Sequence, residues 1–234
     1  MLQIKNLFVS YGKVNIIQDL SMEINSGEVV ALIGANGTGK TTLVRAISKL
    51  NTVSGGTITF DGEDITSLSP DKIVERGIIQ VPEGRKLFAQ MNVRENLEMG
   101  AFAKRARAKE KENLEYVYSV FPELKAMEKQ ACGNLSGGQQ QMVAIGRSLM
   151  AEPKLLILDE PSIGLSPITT QHMFDAIRTI NKKGISILIT EQNVQDVLKM
   201  ASRAYVMQQG RIALSGEAQE ISKSEELKKI YLGM

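Results

Sequence analysis

A run of five apolar residues, Val29 to Ile33, opens into Gly34-Ala35-Asn36-Gly37-Thr38-Gly39-Lys40-Thr41, and this junction leaves few folds open to the chain. A continuous apolar run reads as a strand buried on both faces, the kind found in parallel sheets covered by helices. The octet after it has the glycine spacing that turns backbone N–H groups inward around phosphate oxygens. Lys40 then reaches the terminal phosphates, and the Thr41 hydroxyl suits Mg²⁺. Helix is expected from about Lys40 to Lys49, with Thr42 in its first turn, so that phosphate meets the positive end of the helix dipole. The expected ligand is a nucleoside triphosphate.

Two further stretches add chemistry. Leu155-Leu156-Ile157-Leu158 is a second buried strand, and it delivers Asp159 and Glu160 to a strand's C-terminal edge, where open α/β sheets bind ligands. Asp159 suits Mg²⁺, and Glu160 suits polarising a water for in-line attack on a γ-phosphate. Leu135-Ser136-Gly137-Gly138-Gln139, followed by a helical pattern to Met150, is another phosphate device: a hydroxyl and bare amides at a helix start. One chain's γ-phosphate is already cradled at Gly34. The natural user of Ser136, Gly137, Gly138 and Gln139 is a nucleotide held by another copy.

The rest of the pattern is α/β with a helical insertion. Strand signals fill residues 1–83, helical periodicity fills 84–153 (Val93–Gly100, Arg107–Phe121, Gly137–Met150), and strand–helix alternation returns over 154–234. A nucleotide-binding core of 1–83 and 154–234 is therefore expected around an inserted helical lobe, within 234 residues of which 43% are hydrophobic. A net charge of +2 gives no bulk electrostatic case for nucleic acid. The mixed-sign run Lys104–Glu112 reads as a solvated helix face. The one cysteine, Cys132, excludes an internal disulfide, and the chain shows neither a leader nor a membrane-spanning stretch, so a cytoplasmic location is expected.

Together these motifs resemble the ATP-binding cassette (ABC) transporter family, over essentially the whole chain. The resemblance implies a P-loop NTPase core of mainly parallel sheet, an N-terminal antiparallel β subdomain and an inserted α-helical subdomain. It implies two ATPs sandwiched between the phosphate loop of one subunit and the Ser136 segment of the other, and transmembrane permease subunits as partners. Tyr11 looks like the aromatic that stacks on adenine, a contact of about 1–3 kcal/mol that fixes position more than identity. Three positions depart from the general family pattern. Glu83 stands where most members have glutamine, as a magnesium ligand that brings charge near the γ-phosphate. Gln192 replaces the switch histidine and can donate to a phosphate oxygen but cannot titrate. Ser166 stands where a carboxylate normally makes contacts across the dimer.

Val81-Pro82-Glu83-Gly84-Arg85, Thr190-Glu191-Gln192-Asn193 and a terminal Tyr231-Leu232-Gly233 look like one of the two ATPase subunits of branched-chain amino-acid importers. This implies a second, different ABC ATPase as partner and the cytoplasmic face of the inner membrane as the site of work. ATPases of urea and short-amide importers, and a regulatory subunit with weak hydrolysis, remain alternatives. Leu87-Phe88-Ala89-Gln90-Met91 reads either as a groove for a permease's cytoplasmic helix or as a buried junction between lobes. His172, the only histidine, lies inside a helical stretch and reads as a surface or packing residue.

Overall fold

Alternation along the first two dozen residues decides the first sheet. In β1 (Leu2–Tyr11), Leu2, Ile4, Leu7 and Val9 are buried, and the step from an even to an odd register is made at Asn6, whose φ of 48° marks a bulge. β1 pairs antiparallel with β2 (Val14–Ile24) on one side and with β4 (Val53–Phe60) on the other, and the two-residue β5 (Glu63–Asp64) pairs with β4. This is the expected antiparallel β subdomain. The computed structural model describes residues 1–232; Gly233 and the side chains of Tyr231 and Leu232, part of the terminal motif, lie outside the described residues.

The chain divides into two compact units, Met1–Ile73 with the stretch from Ser186 onward, and Val74–Ile185. In the first, β3 (Val29–Ile33) is buried at all five positions and lies parallel to both β8 (Ser186–Glu191) and β9 (Arg203–Gln208). A strand buried on both faces can be apolar throughout, as the sequence of β3 is. β10 (Arg211–Glu217) closes this sheet antiparallel to β9. Helix α1 (Lys40–Ile47) buries Leu43, Val44, Ala46 and Ile47, and α2 (Pro70–Arg76) begins with a proline, whose fixed φ and missing N–H suit a first helical position.

In the second unit, β6 (Ile78–Val81) and β7 (Leu155–Asp159) form a parallel pair. Between them run α3 (Val93–Glu98), α4 (Lys104–Arg107), α5 (Glu110–Val120), α6 (Pro122–Ala126) and α7 (Gly137–Leu149), and α8 (Pro167–Asn181) follows β7. Small residues set the packing distances here. A Cβ on Gly100 would lie 1.9 Å from the Arg147 carbonyl oxygen, and one on Gly146 would lie 2.9 Å from Leu97 and Val117.

The helix expected over Arg107–Phe121 is α5, Glu110–Val120, and it starts three residues late: α4 ends at Arg107, and Lys109 (φ −119°, ψ 22°) leaves helical geometry before α5 begins. The solvated face expected for Lys104–Glu112 holds at Lys104, Arg107, Lys109, Lys111 and Glu112, which are exposed, but not at Arg105. Arg105 is half-buried and donates to the carbonyl oxygens of Glu75 (3.0 Å), Val74 (3.3 Å) and Ala151 (2.9 Å), so it satisfies carbonyls at the C-terminal ends of α2 and α7, which composition cannot reveal. Lys109 pairs with Glu152 at 3.0 Å. Back in the first unit, α9 (Val194–Leu198), α10 (Ala218–Lys223) and α11 (Glu225–Leu232) complete the chain.

Candidate nucleotide site

The phosphate loop leaves the end of β3 and is shaped by what its glycines touch. Gly37 and Gly39 have φ of 78° and 107°, which β-carbon-bearing residues rarely adopt. At Gly34 the constraint is space: a Cβ would stand 2.6 Å from the Met207 carbonyl oxygen and 2.7 Å from Thr38 Oγ1. The loop is thus seated on the turn after β9, where the Gly210 N–H donates to the Thr38 carbonyl at 3.0 Å. Thr38 Oγ1 donates to the Ala35 carbonyl at 2.9 Å. Lys40 is buried, and its Nζ donates to the carbonyls of Gly34 (2.7 Å) and Ala35 (3.2 Å). The ammonium therefore spans the loop, in position to exchange those carbonyls for phosphate oxygens.

Strand register brings Gln192 to the same place. Ile33 is paired with Glu191, so Gly34 and Gln192 are each one residue beyond the same rung. Gln192 Nε2 donates to the Asn36 side-chain oxygen, and the Gln192 amide is thus tied to the phosphate loop. Tyr11, at the end of β1, is 48% exposed, and its hydroxyl accepts from Asn51 Nδ2 at 2.7 Å. The same Asn51 amide reaches the Thr42 carbonyl at 3.4 Å. Asn51 was not identifiable beforehand, because it lies forty residues from Tyr11 in a loop with no motif of its own.

In the second unit, Val81 stands opposite Leu158, so Glu83 and Glu160 each lie two residues past one rung of the β6–β7 pair. Asp159 is 2% exposed and Glu160 8% exposed, whereas Glu83 is exposed. Glu160 has φ of 47°, a left-handed conformation that turns the chain sharply where β7 ends. Ser136 caps α7: its Oγ accepts from the Gln139 N–H at 3.3 Å, and Gln139 Oε1 accepts from the Ser136 N–H at 2.9 Å. That reciprocal pair is a capping box. Gly137 and Gly138 follow it with bare α-carbons at the helix start. Ser166 caps α8, accepting from the Thr169 N–H at 3.3 Å. Cys132 is buried, its thiol pushed up by burial, and Asn96 Nδ2 donates to its sulfur at 3.2 Å.

Residues 17–163 match the ABC transporter family. The chain belongs to that family. Among its relatives is the branched-chain amino acid transport ATP-binding protein BraG of Pseudomonas aeruginosa, 40% identical with all of both chains covered. The probable branched-chain amino acid transport protein LivF of Archaeoglobus fulgidus is 35% identical over 100% of this chain and 99% of its own. The lipopolysaccharide export protein LptB of Haemophilus influenzae is 34% identical over 100% and 97%. A nucleotide-free ATP-binding cassette of an ABC transporter has a TM-score of 0.88 at 29% identity, over 100% of this chain and 99% of its own. As an ABC transporter ATP-binding domain the chain is an ATPase with the α/β P-loop fold, and ATP is its nucleotide. None of the helices among the described residues is long and apolar enough to cross a membrane.

Each unit carries hard oxygen donors of the kind magnesium takes. Thr41 offers a hydroxyl, and Asp159 and Glu83 offer carboxylates. No cluster of three or more His, Cys, Asp or Glu residues forms a closed cage among the described residues.

Proposed function

We propose that this ABC ATPase is a peripheral subunit, on the cytoplasmic face of the membrane, of a branched-chain amino-acid importer. It works there with permease subunits and a second, different ABC ATPase. The observation that carries this reading is the end-to-end identity of 40% with BraG, with all of both chains covered. The similarity to LivF supports the same reading.

In this reading the loop from Gly34 to Thr42 takes the phosphates of ATP, Lys40 neutralises them, and Tyr11 stacks on the adenine. Thr41, Asp159 and Glu83 would hold Mg²⁺, which when bound would supply positive charge to offset that of the phosphates. Glu160 accepts the proton of the attacking water, and Gln192 donates its amide N–H to a γ-phosphate oxygen. To do so, Gln192 exchanges Asn36 for the nucleotide. Ser136, Gly137, Gly138 and Gln139 complete the partner's site, and Gln139 contributes by fixing Ser136 through the capping box. The permease docks at the apolar segment after Glu83, where Phe88 is 48% exposed and Met99 and Phe102 in the same unit are also exposed.

The test is Glu160→Gln in the complex purified through a tag on this chain. Hydrolysis should fall by about 10²-fold or more, and an ATP-bound dimer should accumulate. Unchanged phosphate release would remove Glu160 from the role of base. Absence of permease chains from the purified complex would remove the transport assignment.

A further inference from the structure

Three consecutive residues after Glu83 have left-handed backbone: Gly84 (φ 75°), Arg85 (64°) and Lys86 (47°). Glycine takes this conformation freely, but two side-chain-bearing residues in succession do not, and such a run persists only where its surroundings hold it. The holders lie on α7, the helix that begins with Gly137 and Gly138. Arg147 Nη2 donates to the Arg85 carbonyl oxygen at 3.0 Å. Arg85 Nη1 donates to Gln140 Oε1 at 3.3 Å, and Gln140 Nε2 is itself braced on the Cys132 carbonyl at 3.1 Å. The Arg147 guanidinium also lies 5.8 Å from the centre of the Phe88 ring. Asn96 grips the same residue from the other side: the Phe88 N–H donates to its Oδ1, and its Nδ2 donates to the Phe88 carbonyl, both at 3.0 Å. Burial pulls the Arg147 guanidinium down, the mark of a cation kept under cover at a cost.

We propose that Arg147 and Gln140 are positioning residues that make the left-handed turn after Glu83, and the exposed Phe88 beyond it, move as one body with α7. Since α7 starts at the segment that meets the partner's ATP, its displacement reaches the permease-facing residues through these two side chains. The inference rests on the transport reading above.

Two readouts test it. Hydrogen–deuterium exchange on the full-length chain should show residues 84–91 opening about 10-fold more in Arg147→Met, with β3 and β8 unchanged. Arg147→Lys keeps a donor and a cation over Phe88, so it should recover most of that protection. In the tagged complex reconstituted in liposomes, Arg147→Met should keep basal ATP hydrolysis within about twofold and lose about threefold or more of the solute-stimulated rate. Unchanged exchange over 84–91 overturns the proposal, as does unchanged stimulation. If Arg147→Met does not fold, Arg85→Ala cuts the Gln140 link at a partly exposed residue and should shift both readouts in the same direction, with the same overturning results. A wild-type complex lacking any permease-dependent stimulation would refute the transport reading instead, while the exchange measurement would still decide whether Arg147 holds the turn.

Discussion

Gly138→Ala separates two reasons for a glycine at the start of α7. A Cβ at this position would stand 2.4 Å from Thr169 Cγ2 on α8. Ordinary carbon–carbon contact begins at about 3.5 Å, so something must move by about 1 Å. Thr169 cannot simply rotate away, because its hydroxyl lies 2.9 Å from Ser166 Oγ and its N–H donates to that same oxygen. Overpacking against a pinned β-branched side chain costs about 2 kcal/mol, while alanine gains about 1 kcal/mol over glycine in a helix. The net is a loss of about 1 kcal/mol, or a melting temperature lower by about 2–4 °C for a chain of this length. Thr169→Ser deletes the clashing methyl and keeps the hydroxyl. In that background Gly138→Ala should therefore stabilise by about 1 kcal/mol, a reversal of sign and a coupling of about 2 kcal/mol. Thermal unfolding of the four proteins by circular dichroism measures it. If the partner's phosphate needs a bare α-carbon at Gly138, ATP-dependent assembly should stay impaired even in the stabilised double mutant. The same stability change in both backgrounds would refute the steric argument, and restored assembly would refute the phosphate argument.

Two other outcomes follow from the site. Because Gln192 cannot titrate, ATP hydrolysis should show no transition near neutrality owing to this position; Gln192→His should introduce one between about pH 6 and 7.5, read from steady-state rates across pH. A profile identical in both proteins would show that the position does not touch the reaction. The Cys132 thiol is buried and pushed above its ordinary value, so at neutral pH its thiolate population is lower than that of a free cysteine. Alkylation followed by mass spectrometry should therefore be slow in the native protein and at least about 10²-fold faster in denaturant; fast native labelling would contradict the packing around Asn96 and Cys132.

What the sequence made legible was local. The apolar run of β3, the loop glycines and the start of α1 are encoded within a dozen residues, and so are the helix start at Ser136 and the Asp159–Glu160 pair. Each follows from a period, a cap or a positive φ. Ser166 shows the limit of reading by resemblance. It stands where the family pattern has a carboxylate, and its side chain is engaged as the N-cap of α8 immediately before Pro167, a role that its own Ser-Pro context suits. The contacts that could not be read join distant elements: Asn51 to Tyr11, Arg105 to three carbonyls, and Arg147 to the Arg85 carbonyl. In each case a polar side chain reaches another segment, and neither side-chain type nor spacing names its partner.

That division has a physical consequence for the chemistry. The parts that grip phosphate are specified by backbone shape, which a short motif can encode completely. The parts that relate one motif to another are single long side chains, whose geometry exists only once helices, strands and loops have packed. Arg147 illustrates the second kind: in the sequence it is one basic residue near the end of a helix, a position that would ordinarily be credited to the helix dipole. In the structure its guanidinium serves a different segment, bonding the Arg85 carbonyl and lying beside Phe88. Substituting it should therefore change the turn at residues 84–86 more than the stability of α7. A large loss of α7 protection with an intact turn would return Arg147 to the local role that sequence alone suggests.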